Sequence, residues 1–209
     1  DEAPVFTSNA SFSAAENQTS IGTVTATDAD TNDSSITFSV SGSELLIGSS
    51  SGVLTFNSAP DYETKSSYSA TVTASDGANA TNQNITVNVT DVNDNSPSIT
   101  SSATFSAAEN QTAIGTVTAT DADGDTLSYS LSGTDASSMS INSSSGVLTF
   151  NSAPDYETKS SYTATVGVTD GSLIDSQIIT ITVIDVDDVA PVFSSTSSFS
   201  AEENQLSIG

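Results

Sequence analysis

Residues 90–98 read TDVNDNSPS, and residues 184–192 read IDVDDVAPV. Each stretch follows a run of alternating apolar residues and crowds acids together before a proline. Carboxylates a few ångströms apart repel by about 1 kcal/mol per pair in water, and by several times more near a protein surface. Neither stretch contains a flexible Gly/Ser spacer. The two stretches therefore indicate short, stiff connections between domains, with charges that need a partner.

The composition favours a cation as that partner, or a salty medium that screens the repulsion. The 209 residues contain 26 Asp and Glu but only 2 Lys and Arg, a formal net charge of −24. Such a chain is a poor match for nucleic acid or for an anionic membrane surface, and it has no apolar run long enough to span a membrane. The absence of Cys and His removes the usual zinc sites and the Ser-His-Asp and Cys-His catalytic arrangements.

The chain also repeats itself. SFSAAENQTSIGTVTATDAD (11–30) returns as TFSAAENQTAIGTVTATDAD (104–123), and a third copy begins as SFSAEENQLSIG (198–209). The aligned residues Glu16, Glu109 and Glu203 give a period of 93 and then 94 residues, which is the length of a domain. We expect one domain at 1–95, a second at 96–189 and the start of a third at 190–209.

Alternating β-branched and aromatic residues between turn-forming clusters predict half-buried strands. In the first copy we expect seven, near 4–8, 21–27, 36–40, 45–47, 53–56, 67–75 and 82–91. Seven short strands in one repeat predict an all-β fold, a Greek-key β-sandwich of immunoglobulin-like architecture.

The acidic residues fall into a few short clusters that recur in register at strand ends. They are the AEN, DAD, PDYE and DG motifs and the linker. In the first copy their acids are Glu16, Asp28, Asp30, Asp61, Glu63, Asp76, Asp91 and Asp94. In the second they are Glu109, Asp121, Asp123, Asp155, Glu157, Asp170, Asp185, Asp187 and Asp188. Loops at the end of one sandwich would face loops of the next, and such oxygen-rich surroundings suit Ca²⁺.

Together, AEN, DAD, PDYE and DVNDNSP resemble the extracellular repeat of cadherins. PDYE stands in for the DRE-type motif of that family and keeps both acids. The near-identity of the copies and the extreme acidity are also similar to large repetitive bacterial surface adhesins. The resemblance implies tandem β-sandwich domains at a cell surface, joined by about three calcium ions per complete junction.

Carried over from the family, each ion at the first junction would take ligands from several segments. The ion nearest the first repeat would be held by Glu16, Asp61, Glu63 and Asp94. The middle ion would be held by Glu16, Glu63, Asp91, Asp94, Asp123 and the Val92 carbonyl. The third ion would be held by Asn93, Asp121, Asp123, Asp170 and the Asn95 carbonyl. Eight carboxylates against three divalent ions would leave two negative charges.

The other two sites implied by the resemblance are incomplete in this sequence. The second linker would use Glu109, Asp155, Glu157, Asp185, Val186, Asp187 and Asp188, with Val189 contributing only its carbonyl. Its far half would need a third DxD motif beyond residue 209. Asp28, Asp30 and Asp76 would form a half-site that faces a preceding linker, of which only DEA remains.

These observations favour a calcium-stiffened stalk or adhesion segment of a large extracellular protein, with calcium and neighbouring repeats as partners and no catalytic role. Two alternatives stay open: a module that binds a cell-surface protein or polysaccharide, and homophilic association between rods. A paired-carboxylate glycosidase site is disfavoured, because an active site seldom recurs in tandem domains. Lys65 and Lys159, the two basic residues, are expected to form salt bridges near PDYE.

Overall fold

The computed structural model describes residues 2–29, 35–195, 197–198, 200, 203–204 and 206. Within these residues the regular structure is β-strand, apart from a short 3-10 helix at Ala136–Ser138. This confirms the predicted all-β class. None of the helical structure in the described part is long and apolar enough to cross a membrane.

The first repeat forms a set of antiparallel strands plus one parallel pair. Its strands are β1 (Val5–Phe6), β2 (Ser11–Ala15), β3 (Ser20–Thr23), β4 (Ala26–Thr27), β5 (Thr37–Val40), β6 (Leu45–Ile47), β7 (Val53–Phe56), β8 (Ser67–Ser75) and β9 (Ala80–Thr90).

The second repeat has the same strands in the same order. They are β10 (Ser98–Ile99), β11 (Thr104–Ala108), β12 (Ala113–Thr116), β13 (Ala119–Thr120), β14 (Ser128–Ser132), β15 (Met139–Ile141), β16 (Val147–Phe150), β17 (Ser161–Thr169) and β18 (Ile174–Ile184).

Two sheets pack in each repeat. The first repeat has a four-stranded sheet in the order β2-β9-β8-β5, opposite a three-stranded sheet β3-β7-β6 and the pair β1-β4; the second repeats this as β11-β18-β17-β14, β12-β16-β15 and β10-β13. Alternating residues of the strands face inward, as a half-buried strand requires. The two inner faces form one core per repeat.

One of the seven predicted strands is divided in the structure, and one observed strand was not predicted. The predicted strand at 4–8 is β1 alone, and the chain then forms β2, which the sequence prediction missed. The predicted strand at 21–27 is β3 followed by β4, with a register shift between Ser20 and Gly22. The chain changes sheets between β1 and β2, because β1 pairs with β4 whereas β2 pairs with β9.

The parallel pairing of β2 with β9 determines where the acids lie. Its register places Ala15 beside Thr90, and the next N–H, that of Glu16, donates to the Thr90 oxygen at 3.1 Å. Glu16 therefore emerges at the start of the linker. In the second repeat the Glu109 N–H makes the equivalent bond to Ile184 at 3.1 Å.

An aromatic pair and a lysine close the core near the PDYE loop. Phe56 and Tyr68 make an edge-to-face contact with centroids 5.0 Å apart, and Phe150 and Tyr162 make the same contact at 4.9 Å. Each tyrosine ring also lies under a lysine ammonium, at 4.3 Å in the first repeat and 4.5 Å in the second.

The two lysines form the expected ion pairs, Lys65 with Glu44 and Lys159 with Asp135. The hydrogen bond from Lys159, followed by that from the Thr163 N–H, lowers the pKa of Asp135 below its ordinary value. Because these lysines are the basic residues of the chain, no lysine or arginine remains to neutralise the acids at the linkers.

Candidate metal centre

A buried glutamate organises each linker. Glu16 is only 3% exposed, and its carboxylate accepts hydrogen bonds from the Tyr62 N–H at 2.7 Å and the Val92 N–H at 2.8 Å. It thus ties the PDYE loop to the linker. Glu109, also 3% exposed, does the same with Tyr156 at 2.8 Å and Val186 at 2.7 Å. A carboxylate has about four lone-pair sites, so two N–H donors leave each glutamate able to bind a cation.

Other acids gather around Glu16. One carboxylate oxygen from each of Glu16, Glu63 and Asp91 lies within 4.8 Å of the other two, and the same holds for Glu63, Asp94 and Asp123. Because Glu63 belongs to both groups, the acids form one continuous cluster. It draws on the first repeat, the linker and the second repeat.

The second repeat touches the linker through Asp123. Its Oδ2 accepts the backbone N–H groups of Asp94 at 3.1 Å and Asn95 at 2.9 Å, and its Oδ1 accepts the Asn95 side-chain amide at 2.7 Å. The same amide lies 2.8 Å from Asp94 Oδ1 and 3.4 Å from Glu63 Oε2. A neutral amide is therefore surrounded by three carboxylates.

The crowding changes the acidity of these groups. A hydrogen bond to its own N–H lowers the pKa of Glu63, but burial and the negative charges of neighbouring carboxylates outweigh it and raise the pKa above its ordinary value. Burial and neighbouring charges, that of Asp123 first, also raise the pKa of Asp91. At Asp123 burial is outweighed by the hydrogen bonds from Asn95 and Asp94, so its pKa is lowered. Burial and mutual repulsion thus disfavour the charged forms of Glu63 and Asp91, whereas hydrogen-bond donors favour the charged form of Asp123.

Several buried oxygens of the junction have no hydrogen-bond partner among the described residues. They include Asn93 Oδ1, Asp121 Oδ2 and Asp170 Oδ2. Asp170 Oδ1, by contrast, accepts the N–H groups of Ser172 at 2.6 Å and Leu173 at 2.7 Å. Burial raises the pKa of Asp170, but these two bonds and the nearby Asn93 side chain outweigh it and leave the pKa lowered. A buried oxygen without a donor is costly unless a cation pairs with it, so these residues fit a metal.

The second linker carries a smaller version of the cluster. Oxygens of Glu109, Glu157 and Asp185 lie within 4.8 Å of one another. The hydrogen bond from its own N–H favours a lower pKa for Glu157. Burial and the charge of Glu109 outweigh that bond, so the pKa of Glu157 is raised above its ordinary value. Asp187 and Asp188 are both exposed, and Asp188 accepts a side-chain hydrogen bond from Asn110 at 2.5 Å.

The remaining predicted acids lie outside these groups of three. Asp61 and Asp155 each cap the following turn, where their oxygens accept both the N–H and the hydroxyl of Thr64 or Thr158. The two bonds from Thr158 are the main reason that the pKa of Asp155 is lowered.

At the far end of the first repeat, Asp76 accepts the N–H groups of Asn79 and Ala78, each at 2.6 Å. These two bonds lower its pKa, and its Oδ2 is buried without a donor among the described residues. Asp28 is half-buried at the end of β4. Asp30 lies outside the described residues.

The sequence prediction missed two kinds of residue. Asp125 forms a fourth group with Asp121 and Asp123, in which one oxygen from each residue lies within 4.8 Å of the others. Its position two residues after the DAD motif could have signalled this. The second kind is the asparagine of the AEN motif. Asn17 donates its side-chain amide to Asp94 Oδ2 at 2.5 Å, a contact that depends on the folded positions of both residues.

The tandem β-sandwiches joined by acid-rich linkers define a class of modular, repeat-built protein, and comparison with known families identifies the family. The cadherin-domain family model matches residues 10–90 and again 102–186. The chain belongs to the cadherin family.

Its relatives are much longer animal proteins. Human protocadherin Fat 4 is 35% identical over an alignment of 229 residues that covers 98% of this chain and 5% of the relative. Protocadherin-11 X-linked of Sus scrofa is 35% identical, with 95% of this chain and 20% of the relative covered. The chain therefore spans a small part of these proteins. The expected bacterial adhesin context is not confirmed by these relatives.

Solved cadherin ectodomains share the fold. Repeats 22–24 of mouse cadherin-23 superimpose with a TM-score of 0.77 at 28% identity, covering 89% of this chain and 66% of that structure. Repeats 3–6 of protocadherin gammaB7, solved as a cis-dimer, give a TM-score of 0.75 at 25% identity, covering 88% and 52%. The β-sandwich prediction is confirmed by these matches.

Proposed function

We propose that the chain is a segment of an extracellular adhesion protein whose repeats are locked into a rod by calcium at each linker. The single observation that supports this best is the pair of carboxylate groups that share Glu63 and join acids of the first repeat and the linker to Asp123 of the second repeat. About three ions would occupy the complete first junction, with the ligand sets that the family resemblance implies. The domains would be 1–95, 96–189 and the start of a third at 190–209.

The chemistry of the donor set supports calcium over other divalent ions. The donors are carboxylate, amide and backbone oxygens, with no Cys or His in the chain. Ca²⁺ binds many oxygen ligands and tolerates an irregular arrangement of them, whereas Mg²⁺ demands near-octahedral geometry and retains its waters. The buried side-chain oxygens of Asn93, Asp121 and Asp170 are three such ligands, and none of these oxygens accepts a hydrogen bond from a described residue.

Calcium would stiffen the junction through charge and mass action. Without an ion, the carboxylates of Glu63 and Asp94 in the first repeat and linker repel Asp123 in the second repeat. An ion that binds all three stabilises only the arrangement in which they are together, so binding selects the aligned state over the open ones.

Interdomain distance measurements test this proposal. The chain has no cysteine, so Ser43→Cys and Ser144→Cys, both at exposed positions, would place one spin label in each repeat. We expect a broad distance distribution in EDTA and a narrow one in millimolar CaCl₂. In Asp94→Asn with Asp123→Asn, the distribution should stay broad in calcium.

A matched control removes two carboxylates away from the junction. Glu44→Gln with Asp135→Asn gives the same change in net charge, and we expect it to narrow in calcium as the parent does. Distributions that are equally narrow in EDTA and in calcium would reject calcium stiffening.

Association between rods is a second candidate, supported by the outer face of β18. Ile174 and Ile178 are each 69% exposed there, whereas the first repeat has Ala80 and Asn84 at the equivalent positions. Analytical ultracentrifugation tests this candidate. A chain that sediments as a monomer at all concentrations in calcium would reject it. Polysaccharide binding has less support, because the exposed aromatic residues of the described part, Tyr156 and Phe193, lie outside the strands.

A further inference from the structure

The residue after each organising glutamate has an unusual backbone. Asn17, Asn110 and Asn204 have φ values of 61°, 62° and 71°, and they are the non-glycine residues of the described chain with positive φ. Asparagine tolerates this left-handed region better than other residues with a side chain. The recurrence of E-N in all three copies therefore coincides with a specific backbone shape, rather than with a ligand type.

The left-handed turn directs the asparagine amide at the linker. The Asn17 backbone N–H donates to the Pro60 oxygen at 3.0 Å, which anchors the turn on the PDYE loop. Its side-chain amide then donates to Asp94 Oδ2 at 2.5 Å. In the second repeat Asn110 makes the same two contacts, to the Pro154 oxygen at 3.0 Å and to Asp188 at 2.5 Å.

Two donors together fix the plane of the Asp94 carboxylate. Asn17 holds Oδ2, and the side-chain amide of Asn95 holds Oδ1 at 2.8 Å. Asp94 is otherwise exposed and lies in a group with Glu63 and Asp123, so repulsion would rotate it away from them. A donor on each oxygen opposes that rotation, and each oxygen keeps a free lone-pair site.

We propose that Asn17 is a positioning residue for cation binding, which holds the Asp94 carboxylate in its ligating orientation without touching the ion. This inference rests on the proposed calcium function. A carboxylate oriented in advance loses less freedom when the ion binds, and partners that orient ligands commonly contribute 10- to 100-fold to metal affinity. Asn110 would act in the same way on Asp188.

Calorimetric titration of the full chain with CaCl₂ tests the proposal through Asn17→Gly. Glycine adopts positive φ without strain, so the backbone turn stays and only the amide is lost. We expect affinity at the first junction to fall about 10-fold, while the melting temperature in EDTA stays close to that of the parent. The exposed neighbour Gln18 provides the control, since Gln18→Gly adds the same backbone freedom and should leave the affinity unchanged.

A double-mutant cycle separates positioning from a general structural effect. In an Asp94→Asn background, Asn17→Gly should have little further effect on calcium affinity, because the residue on which it acts has already lost its charge. In EDTA, amide exchange at Val92 and Asp94 should be faster in Asn17→Gly than in the parent, a readout that needs no calcium. If Asn17→Gly folds poorly, Asn17→Asp keeps the tolerance for positive φ and removes the amide donor, and amide exchange at Val92 and Asp94 in EDTA should then also be faster than in the parent.

The outcomes are distinguishable. A parent chain that shows no calcium binding would reject the proposed function, and this inference with it. A parent that binds calcium, with Asn17→Gly binding equally well, would overturn the positioning role alone. An equal loss of affinity in the presence and absence of the Asp94 carboxylate would also overturn it, because the amide would then act elsewhere.

Discussion

Replacing Glu16 with glutamine separates its role in folding from its role in binding. The two oxygens of Glu16 accept N–H groups from Tyr62 and Val92 at 2.7 and 2.8 Å. In Glu16→Gln one oxygen becomes an NH₂ group that faces an N–H donor, so one buried bond is lost. Leaving a buried donor unsatisfied costs about 2 kcal/mol. For a domain of this size that corresponds to a fall in melting temperature of roughly 10 °C.

Glu109→Gln is the matched comparison, because Glu109 makes equivalent bonds at 2.8 and 2.7 Å. In EDTA the two variants should lose similar stability. In calcium they should differ: an ion at a hundredfold excess over its Kd adds about 2.7 kcal/mol. Glu16→Gln should lose most of this gain at the complete first junction, whereas Glu109→Gln should keep it there.

Differential scanning calorimetry of the parent and both variants, in EDTA and in millimolar CaCl₂, measures the stability lost by each variant under each condition. An identical calcium response in Glu16→Gln and Glu109→Gln would refute the reasoning, because it would show that the first junction gains nothing from acids of the second repeat. Equal stability of Glu16→Gln and the parent in EDTA would refute the hydrogen-bond account.

Three further results are expected. Asn95→Val, which installs the residue type of the second linker, should speed amide exchange of the linker in EDTA and weaken calcium binding without abolishing it, since the donor to Asp94 Oδ1 is lost while the backbone carbonyl remains; slower exchange would contradict this. Because the pKa of Asp135 is lowered, chiefly by Lys159, its contribution to stability is present above its ordinary value of 3.8 and is lost as the pH falls through the lower folded value. Urea titrations at several pH values should therefore show a flatter acid limb in Asp135→Asn, and an unchanged slope would count against the ion pair. Gly52→Ala should destabilise the first repeat by about 2–4 kcal/mol, because φ is +66° and the added Cβ would lie 2.1 Å from a backbone oxygen; Gly77→Ala, with open space around it, should cost less in the same urea assay.

The acid clusters of the candidate site could be predicted from the sequence because they recur in register at strand ends. Their grouping as Glu16, Glu63 and Asp91, and as Glu63, Asp94 and Asp123, is what the cadherin resemblance implies, and the structure brings each group together. The role of Asn17 could not be predicted, since an asparagine is compatible with both ordinary and left-handed backbone and its residue type says nothing about a partner 77 residues away.

The sequence by itself determined the domain-length repeat, the β class and the strand ends at which acids collect, because these follow from local alternation and from self-comparison. Only the tertiary structure decided that β2 leaves its neighbour β1 and pairs in parallel with β9. That pairing joins segments 11–15 and 86–90, which are distant in the chain, so no local pattern specifies it. Its register sets Glu16 beside the linker, and the charge cluster exists at the junction because the two segments meet there.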